Sequence, residues 1–344
     1  MSNRVLSQLA HVELITPKLE ESAAFFTDVM GLTETARDGG SVYLRCWGDY
    51  YHHSLVLTEG EEPAMGHAAW RTESPEDLER AVAQVEAAGI AGEWHEPVTG
   101  HGRAYRFAAP RGHEIELFWD VERYQAPPEL QSSFPERPQR QTRRGIAPRQ
   151  VDHVTIATSD VMADARWYRD HLGFRFMAWN GLDHDPSIVV FAVVTTNEKS
   201  HDLGLAVDFS PVPGRLHHVA FWVDARDDLL LAAETLIEAG TPVEFGPGKH
   251  GIGVQNYLYF REPGGVRIEI NTGGYRNYVP DWEPTEWRPS QGSNTMYRNV
   301  AMPDSMMEAF PPHEKGAVPE LGAQPVGAGT AGGIENPWGA PGLG

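Results

Sequence analysis

The chain has 344 residues, and 28 Lys and Arg set against 48 Asp and Glu give a formal charge of −20. That length suits about two domains, each large enough to bury its own core, and 10 Trp, 11 Tyr and 13 Phe supply aromatic mass that a disordered chain lacks. The acidic balance argues against a nucleic-acid partner, no apolar run approaches the roughly 18 residues that span a bilayer, and a single cysteine, Cys46, leaves His and carboxylate to hold any metal.

In chain order, the first seventeen residues lack the charged-then-apolar order of a secretion signal, which points to the cytoplasm. Leu9-Ala10-His11-Val12-Glu13-Leu14 reads as a strand and is answered, 142 residues later, by Val151-Asp152-His153-Val154-Thr155-Ile156. The run from Phe25 to Leu32 answers that from Trp167 to Phe174, the run from Gly66 to Trp70 that from His217 to Phe221, and the run from Pro110 to Glu116 that from Pro263 to Glu269. The chain is therefore a tandem duplication: residues 1–122, a Pro/Gln/Arg-rich linker at 123–149, residues 150–310, and a Gly/Ala/Pro-rich tail at 311–344 expected to be disordered. The linker's arginines are expected to lie on acidic surface.

The second copy shows its elements most clearly. Residues 153–157 alternate as a strand, residues 161–171 carry helical spacing stopped by Gly173, and strands follow near 174–179, 188–194 and 201–207. A second round runs from a strand at 218–223 through a helix at 226–239, stopped by Gly240, to strands near 243, 257–260 and 267–271. This is βαβββ twice per copy, an α+β fold of two tandem modules, each a pair of such units.

Strand parity then selects three residues. If Val154, Ile156, Val219, Phe221, Ile268 and Ile270 face a helix-covered core, His153, His218 and Glu269 share the opposite face. Any one alone reads as a polar strand end bonded to backbone; two imidazoles and a carboxylate together form a facial triad suited to Fe(II), with positions left open. Such a centre carries net +1, which a catecholate monoanion neutralises and a phosphate or dicarboxylate overshoots.

Downstream stands Gly248-Lys249-His250, seven residues, Leu258-Tyr259, two residues, Glu262-Pro263-Gly264-Gly265, three residues and Glu269. This stretch resembles the signature of the type I extradiol ring-cleaving dioxygenases of the vicinal oxygen chelate superfamily, and the resemblance covers about residues 8 to 300. It implies an open, barrel-like sheet in each module and a catalytic second module whose ligands are His153, His218 and Glu269. It also implies an acid–base histidine at His201, a histidine beside the metal shell at His250 and a catecholate-binding tyrosine at Tyr259. His218 is preferred over His217 because His67 aligns with it; His217, of opposite parity, is expected to pack or hydrogen-bond. The activity implied is O2-dependent cleavage of catechol or a small substituted catechol beside its diol, giving a 2-hydroxymuconic semialdehyde with both oxygen atoms in the product. Larger or acidic catechols remain a second possibility, Mn(II) an alternative to Fe(II), and the resemblance suggests a homotetramer. A glyoxalase-like metalloenzyme or a metal-free drug-binding protein of the same fold is disfavoured by the complete set around the triad.

In the first module His11, His53, His67, His101 and Glu116 align with His153, His201, His218, His250 and Glu269, but Arg106 stands where Tyr259 does. A fixed guanidinium there is expected to pair with Glu116 and repel a cation, leaving this module without an active metal. Phe191 and Ile252 are candidate pocket walls or core residues. The aromatic stretch Tyr275, Trp282, Trp287 and Met296-Tyr297 reads as a lid or an intersubunit arm, with Arg288 or Arg298 within reach of a substrate.

Overall fold

The structure, a computed structural model, describes residues 4–142, 144–296 and 302–311. In the first half, β1 (Leu6–Thr16), α1 (Leu19–Ala24), β2 (Thr33–Asp38), β3 (Ser41–Arg45) and β4 (Leu55–Glu59) make one unit. β5 (Ala64–Thr72), α2 (Pro75–Ala87), β6 (Gly92–His95), β7 (Ala104–Ala108) and β8 (Glu114–Phe118) make the next. The second half repeats the order with β9 (Gln150–Thr158), α3 (Val161–Leu172), β10 (Arg175–Gly181), β11 (Val189–Thr195) and β12 (Leu203–Val207). It continues with β13 (Arg215–Trp222), α4 (Arg226–Glu238), β14 (Val243–Lys249), β15 (Gln255–Arg261) and β16 (Arg267–Gly273). A short β17 (Thr285–Trp287) from the aromatic stretch lies parallel to β10 at the sheet edge.

The helix limits follow local chemistry. Ser74 accepts from the Asp77 amide at 3.1 Å ahead of Pro75, Asp160 caps α3 by accepting from the Ala163 amide at 3.0 Å, and Gly173 ends α3 at φ 70°, which costs glycine no steric penalty.

The strand orders are β2-β3-β4-β1-β5-β8-β7-β6 and β14-β15-β16-β13-β9-β12-β11-β10-β17. In each sheet the first strands of the two units, β1 and β5 or β9 and β13, lie antiparallel at the centre. Their helix-side faces meet across the modules. Phe26 packs on Phe221, Phe25 on Phe260, Trp70 on Phe174 and Phe107 on Trp167, with centroids 5.8 to 6.2 Å apart. Burying each such ring contributes about 1.5–3 kcal/mol, so the shared core holds the modules together. The Glu-Pro-Gly-Gly stretch seals the junction: Glu262 accepts from the amides of Gly264 and Val266 and from Ser22 Oγ of the other module at 2.6 Å.

Two local expectations are corrected. The strand expected from residue 201 starts at Leu203, because the Asp202 carboxylate turns back to accept from Thr196 and leaves His201 in the preceding loop. Strict alternation in β13 also fails: the register skips between Leu216 and His218, and His217 is the extra residue of a bulge. Two linker arginines meet acidic surface, Arg149 on Asp224 at 2.5 Å and Arg144 on Asp28, whereas Arg137 lies over the Trp47 and Phe134 rings. The tail from 312 onward, and Tyr297 and Arg298, lie outside the described residues.

Candidate metal centre

The register of β9, β13 and β16 assembles the triad. Ala220 pairs with His153 on one side and Glu269 on the other, and His218 precedes it by two residues on the same face. Ala220 has only a methyl group, so the three longer side chains converge above it. His153 Nε2 lies 3.1 Å from His218 Nε2 and 3.3 Å from Glu269 Oε2, and His218 Nε2 lies 3.0 Å from that oxygen. Ligands about 2.1 Å from a six-coordinate ion sit about 3.0 Å apart along an edge of the octahedron, so these separations fit one face of such a shell. Glu269 Oε1 is buried without a hydrogen-bond partner, which a cation would supply.

The charges of Glu269 and His218 agree with that fit, and His153 would release a proton to a bound cation. Burial resists ionisation of Glu269, yet the facing imidazoles hold its carboxyl far below the usual carboxylate range. Burial likewise pushes His218 down to about 4, while in His153 the same penalty is outweighed by hydrogen bonds to Asp152 and Glu269, which lift it to about 9.

Behind the triad, Asp152 Oδ2 accepts from His153 Nδ1 at 2.9 Å, Gln255 Nε2 at 3.0 Å and Asn271 Nδ2 at 2.9 Å, and Oδ1 meets Lys199 Nζ at 2.9 Å. This fixes the tautomer of His153 and turns its Nε2 toward the triad. His201 packs against His153 with ring centroids 4.2 Å apart and the planes tilted by 52°, and burial favours its neutral form. Asn294 O can only accept, so His250 Nδ1 donates to it, at 2.5 Å, and the neutral ring then offers Nε2 as acceptor to the Tyr259 hydroxyl at 3.0 Å. His217 Nε2 donates to Met306 O at 2.7 Å; the bulge keeps this residue beside the cavity instead of the helix-covered face.

All six residues singled out from the sequence, His153, His218, Glu269, His201, His250 and Tyr259, line one cavity of about 820 Å³ including its mouth. Phe191 and Ile252 line it too.

A family model for the Glyoxalase/Bleomycin resistance protein/Dioxygenase superfamily matches residues 8–117 and 150–270. The chain belongs to that superfamily. Among its superfamily relatives, a manganese-dependent 2,3-dihydroxybiphenyl 1,2-dioxygenase of Geobacillus genomosp. 3 is 40% identical over 82% of this chain and 90% of its own. A metapyrocatechase of Geobacillus stearothermophilus is 37% identical over 87% of this chain and 92% of its own. The solved structure of homoprotocatechuate 2,3-dioxygenase from Arthrobacter globiformis superposes with a TM-score of 0.78 at 27% identity, covering 89% of this chain and 92% of that one.

Several pocket residues of this superfamily member carried no sequence signal. Met302, Met306 and Met307 roof the cavity, on a segment held by the fully buried Arg267, which donates to Glu308 O at 2.9 Å, to Ser305 O at 2.5 Å and to Glu244 Oε2 at 2.9 Å. Periodicity could not place them because this segment has no repeat counterpart. Asp152 adjoins His153, but the matching position in the first module is Ala10, so alignment of the copies hid its role. Trp282 and Trp287, read as lid or arm, pack with Met177 and Ile252 along the sheet edge.

The first module holds an analogous group. Ala69 pairs with His11 and with Glu116, and His67 lies two residues before it. Arg106 reaches Glu116 Oε2 at 2.6 Å, as its alignment with Tyr259 implies. Burial drives His11, His53 and His101 toward the neutral form.

Proposed function

We propose that the second module is the catalytic one, with His153, His218 and Glu269 holding Fe(II), and that the substrate is catechol or a small, neutral substituted catechol. The chain is an extradiol ring-cleaving dioxygenase, as its relatives are named. The observation that carries the assignment is the buried face of two imidazoles and one carboxylate opening onto a cavity walled by Phe191, Ile252, Met302, Met306 and Met307. These apolar groups suit an aromatic ring, and among the described residues that line the cavity none is a Lys or Arg that would pair with an acidic substituent.

When bound, a ferrous ion supplies adjacent sites for the diol and O2 and lets electrons pass between them. The residues of the chain hold the reactants and move the protons. His201, beside His153 and outside the ligand set, takes a proton from the diol as it binds and returns one later. The Tyr259 hydroxyl has one hydrogen, so it serves one acceptor at a time; turning from His250 to the substrate oxygen stabilises the charge that remains there. His250 Nε2 is then an acceptor, and it donates to a developing anion only after gaining a proton. The methionine roof excludes water.

Mn(II) is the second reading, favoured by the manganese-dependent relative and by a ligand set that accepts either ion. A cytoplasmic homo-oligomer is proposed with either metal, its assembly supported by Leu230 and Ile237 exposed two turns apart on α4. Anaerobic loading with Fe(II) or Mn(II), then aerobic mixing with catechol, 3-methylcatechol, 2,3-dihydroxybiphenyl and homoprotocatechuate, tests substrate and metal together. A yellow product from the small neutral diols with iron is expected. Iron bound with no colour from any diol ends the proposal, and a higher kcat/KM for the biphenyl or the acid ends its substrate part.

A further inference from the structure

The cluster in the first module has no task in the reaction above, yet it repeats the catalytic face in detail. His11 Nε2 lies 3.0 Å from His67 Nε2 and 3.5 Å from Glu116 Oε1, and His67 Nε2 lies 3.7 Å from that oxygen. His11, His67 and Glu116 are 2%, 4% and 0% exposed, so these donors have no access to bulk water. Glu13 Oε2 accepts from His67 Nδ1 at 2.8 Å, which turns the opposite nitrogen into the cluster, as Asp152 does for His153.

Arg106 stands at the edge of the site: it donates to Glu116 Oε2 at 2.6 Å and approaches His67 Nε2 only at 3.5 Å, a contact a bound ion would displace. Glu116 Oε1, which has no hydrogen-bond partner, is left facing the imidazoles. The charge of Arg106 is not out of place. The catalytic cluster contains Glu269, Asp152 and Lys199; this one contains Glu116, Glu13 and Arg106. Each has two carboxylates and one fixed cation, net −1, so a divalent ion brings each to +1.

The two differ in space and spacing. The cavity beside the first cluster, lined by Tyr51, His53, His101 and Phe118, is only about 170 Å³ and reaches His11 but neither His67 nor Glu116. The two imidazole-to-carboxylate separations, 3.5 and 3.7 Å, are wider than the 3.0 and 3.3 Å of the second module, and the three donor separations average near the edge of about 3.4 Å expected for ligands about 2.1 Å from a tetrahedral ion. His101 Nε2, 3.4 Å from Glu116 Oε1, is the nearest further donor.

We propose that the first module binds a second divalent ion, of the Zn(II) type, through His11, His67 and Glu116, in an enclosed site that braces the fold and takes no part in ring cleavage. This stands independently of which diol the second module cleaves. The test is full-length protein stripped by chelator, reloaded with Zn(II) alone and crystallised, with diffraction recorded on both sides of the zinc absorption edge. An anomalous peak between His11, His67 and Glu116 is expected, together with a metal content in solution that falls by one ion per chain in H67Q and a lower Tm for that variant only when zinc is present. No peak at the first module in wild-type crystals overturns the proposal, whether or not H67Q folds. So does a peak that forms only in R106L, because Arg106 would then itself be the cation of the cluster.

Discussion

Removing the carboxylate behind His153 probes the proposed metal centre without touching a proposed ligand. In Asp152→Asn the amide can present either its oxygen or its nitrogen to His153. Nitrogen inward sets an NH2 against three donors, from His153, Gln255 and Asn271; oxygen inward sets it against the Lys199 ammonium. Neither orientation restores the negative charge, and Asp152 is firmly ionised, because Lys199 and His153 overcome the cost of burying it. Losing a charge-assisted bond to a ligand histidine typically weakens metal binding 10–100-fold, or about 1.4–2.7 kcal/mol. Anaerobic competition against a calibrated chelator measures this directly. The expected result is a metal Kd higher by that factor, with kcat at saturating metal changed only a few-fold. An unchanged Kd in a variant with native circular dichroism would refute the argument that Asp152 orients His153.

Four further outcomes follow from the same geometry. His201→Asn should keep its metal content and lose most turnover, about 100-fold or more; loss of metal instead would make His201 a ligand. Tyr259→Phe should lower kcat with little change in metal content, by about 10-fold for one hydrogen bond to developing charge, and equal kcat would remove Tyr259 from the reaction. His113 sits at the module junction with Nε2 3.0 Å from Ala157 O and 3.1 Å from Arg215 O and Nδ1 unpartnered, and burial pushes it down to about 4, partly offset by those carbonyls. Since an unfolded histidine titrates near 6.5, the stability tied to neutral His113 is present above that pH and lost as pH falls toward 4, about 2 kcal/mol by pH 5; urea melts should show that extra acid sensitivity in wild type and not in His113→Gln. Gly264→Ala places a methyl 2.2 Å from Thr16 Oγ1 across the junction, so unfolding midpoints should fall by about 1–3 kcal/mol and recover partly with Thr16→Ala, whereas no recovery would move the strain elsewhere.

The repeat made the fold legible, because a strand's parity and a helix's stop survive duplication: Gly173 and Gly240 end their helices where spacing places them. The same parity brought His153, His218 and Glu269 to one face. Parity failed at His217, where one inserted residue in β13 changes the direction of a side chain, and no local signal in Leu216-His217-His218 distinguishes a bulge from regular strand. Contacts made by the unrepeated segments were hidden for a different reason. Met306 reaches the cavity because Arg267, fully buried, binds the backbone of its segment, a long-range choice that neither composition nor periodicity records.

With catalysis assigned to the second module, as proposed above, a triad of this kind alone does not make the catalyst. Both sheets place two imidazoles and a carboxylate around a small residue, Ala69 or Ala220, on neighbouring strands, so the strand register itself generates the donor face twice. What differs lies above that face. In the second module His250 is held back by Asn294 and Tyr259, and the space it leaves is roofed by methionines on a segment the first module lacks. In the first, His101 leans 3.4 Å from Glu116 and packs on Phe118, with ring centroids 4.8 Å apart, filling the volume a ring diol requires. Opening that volume, as in the double variant His101→Ala, Phe118→Ala, should therefore leave ring cleavage in the first module undetectable, because Arg106 still occupies the position of the Tyr259 proton donor; turnover surviving in this variant when His153 and His218 are also replaced by alanine would show that space alone had silenced it.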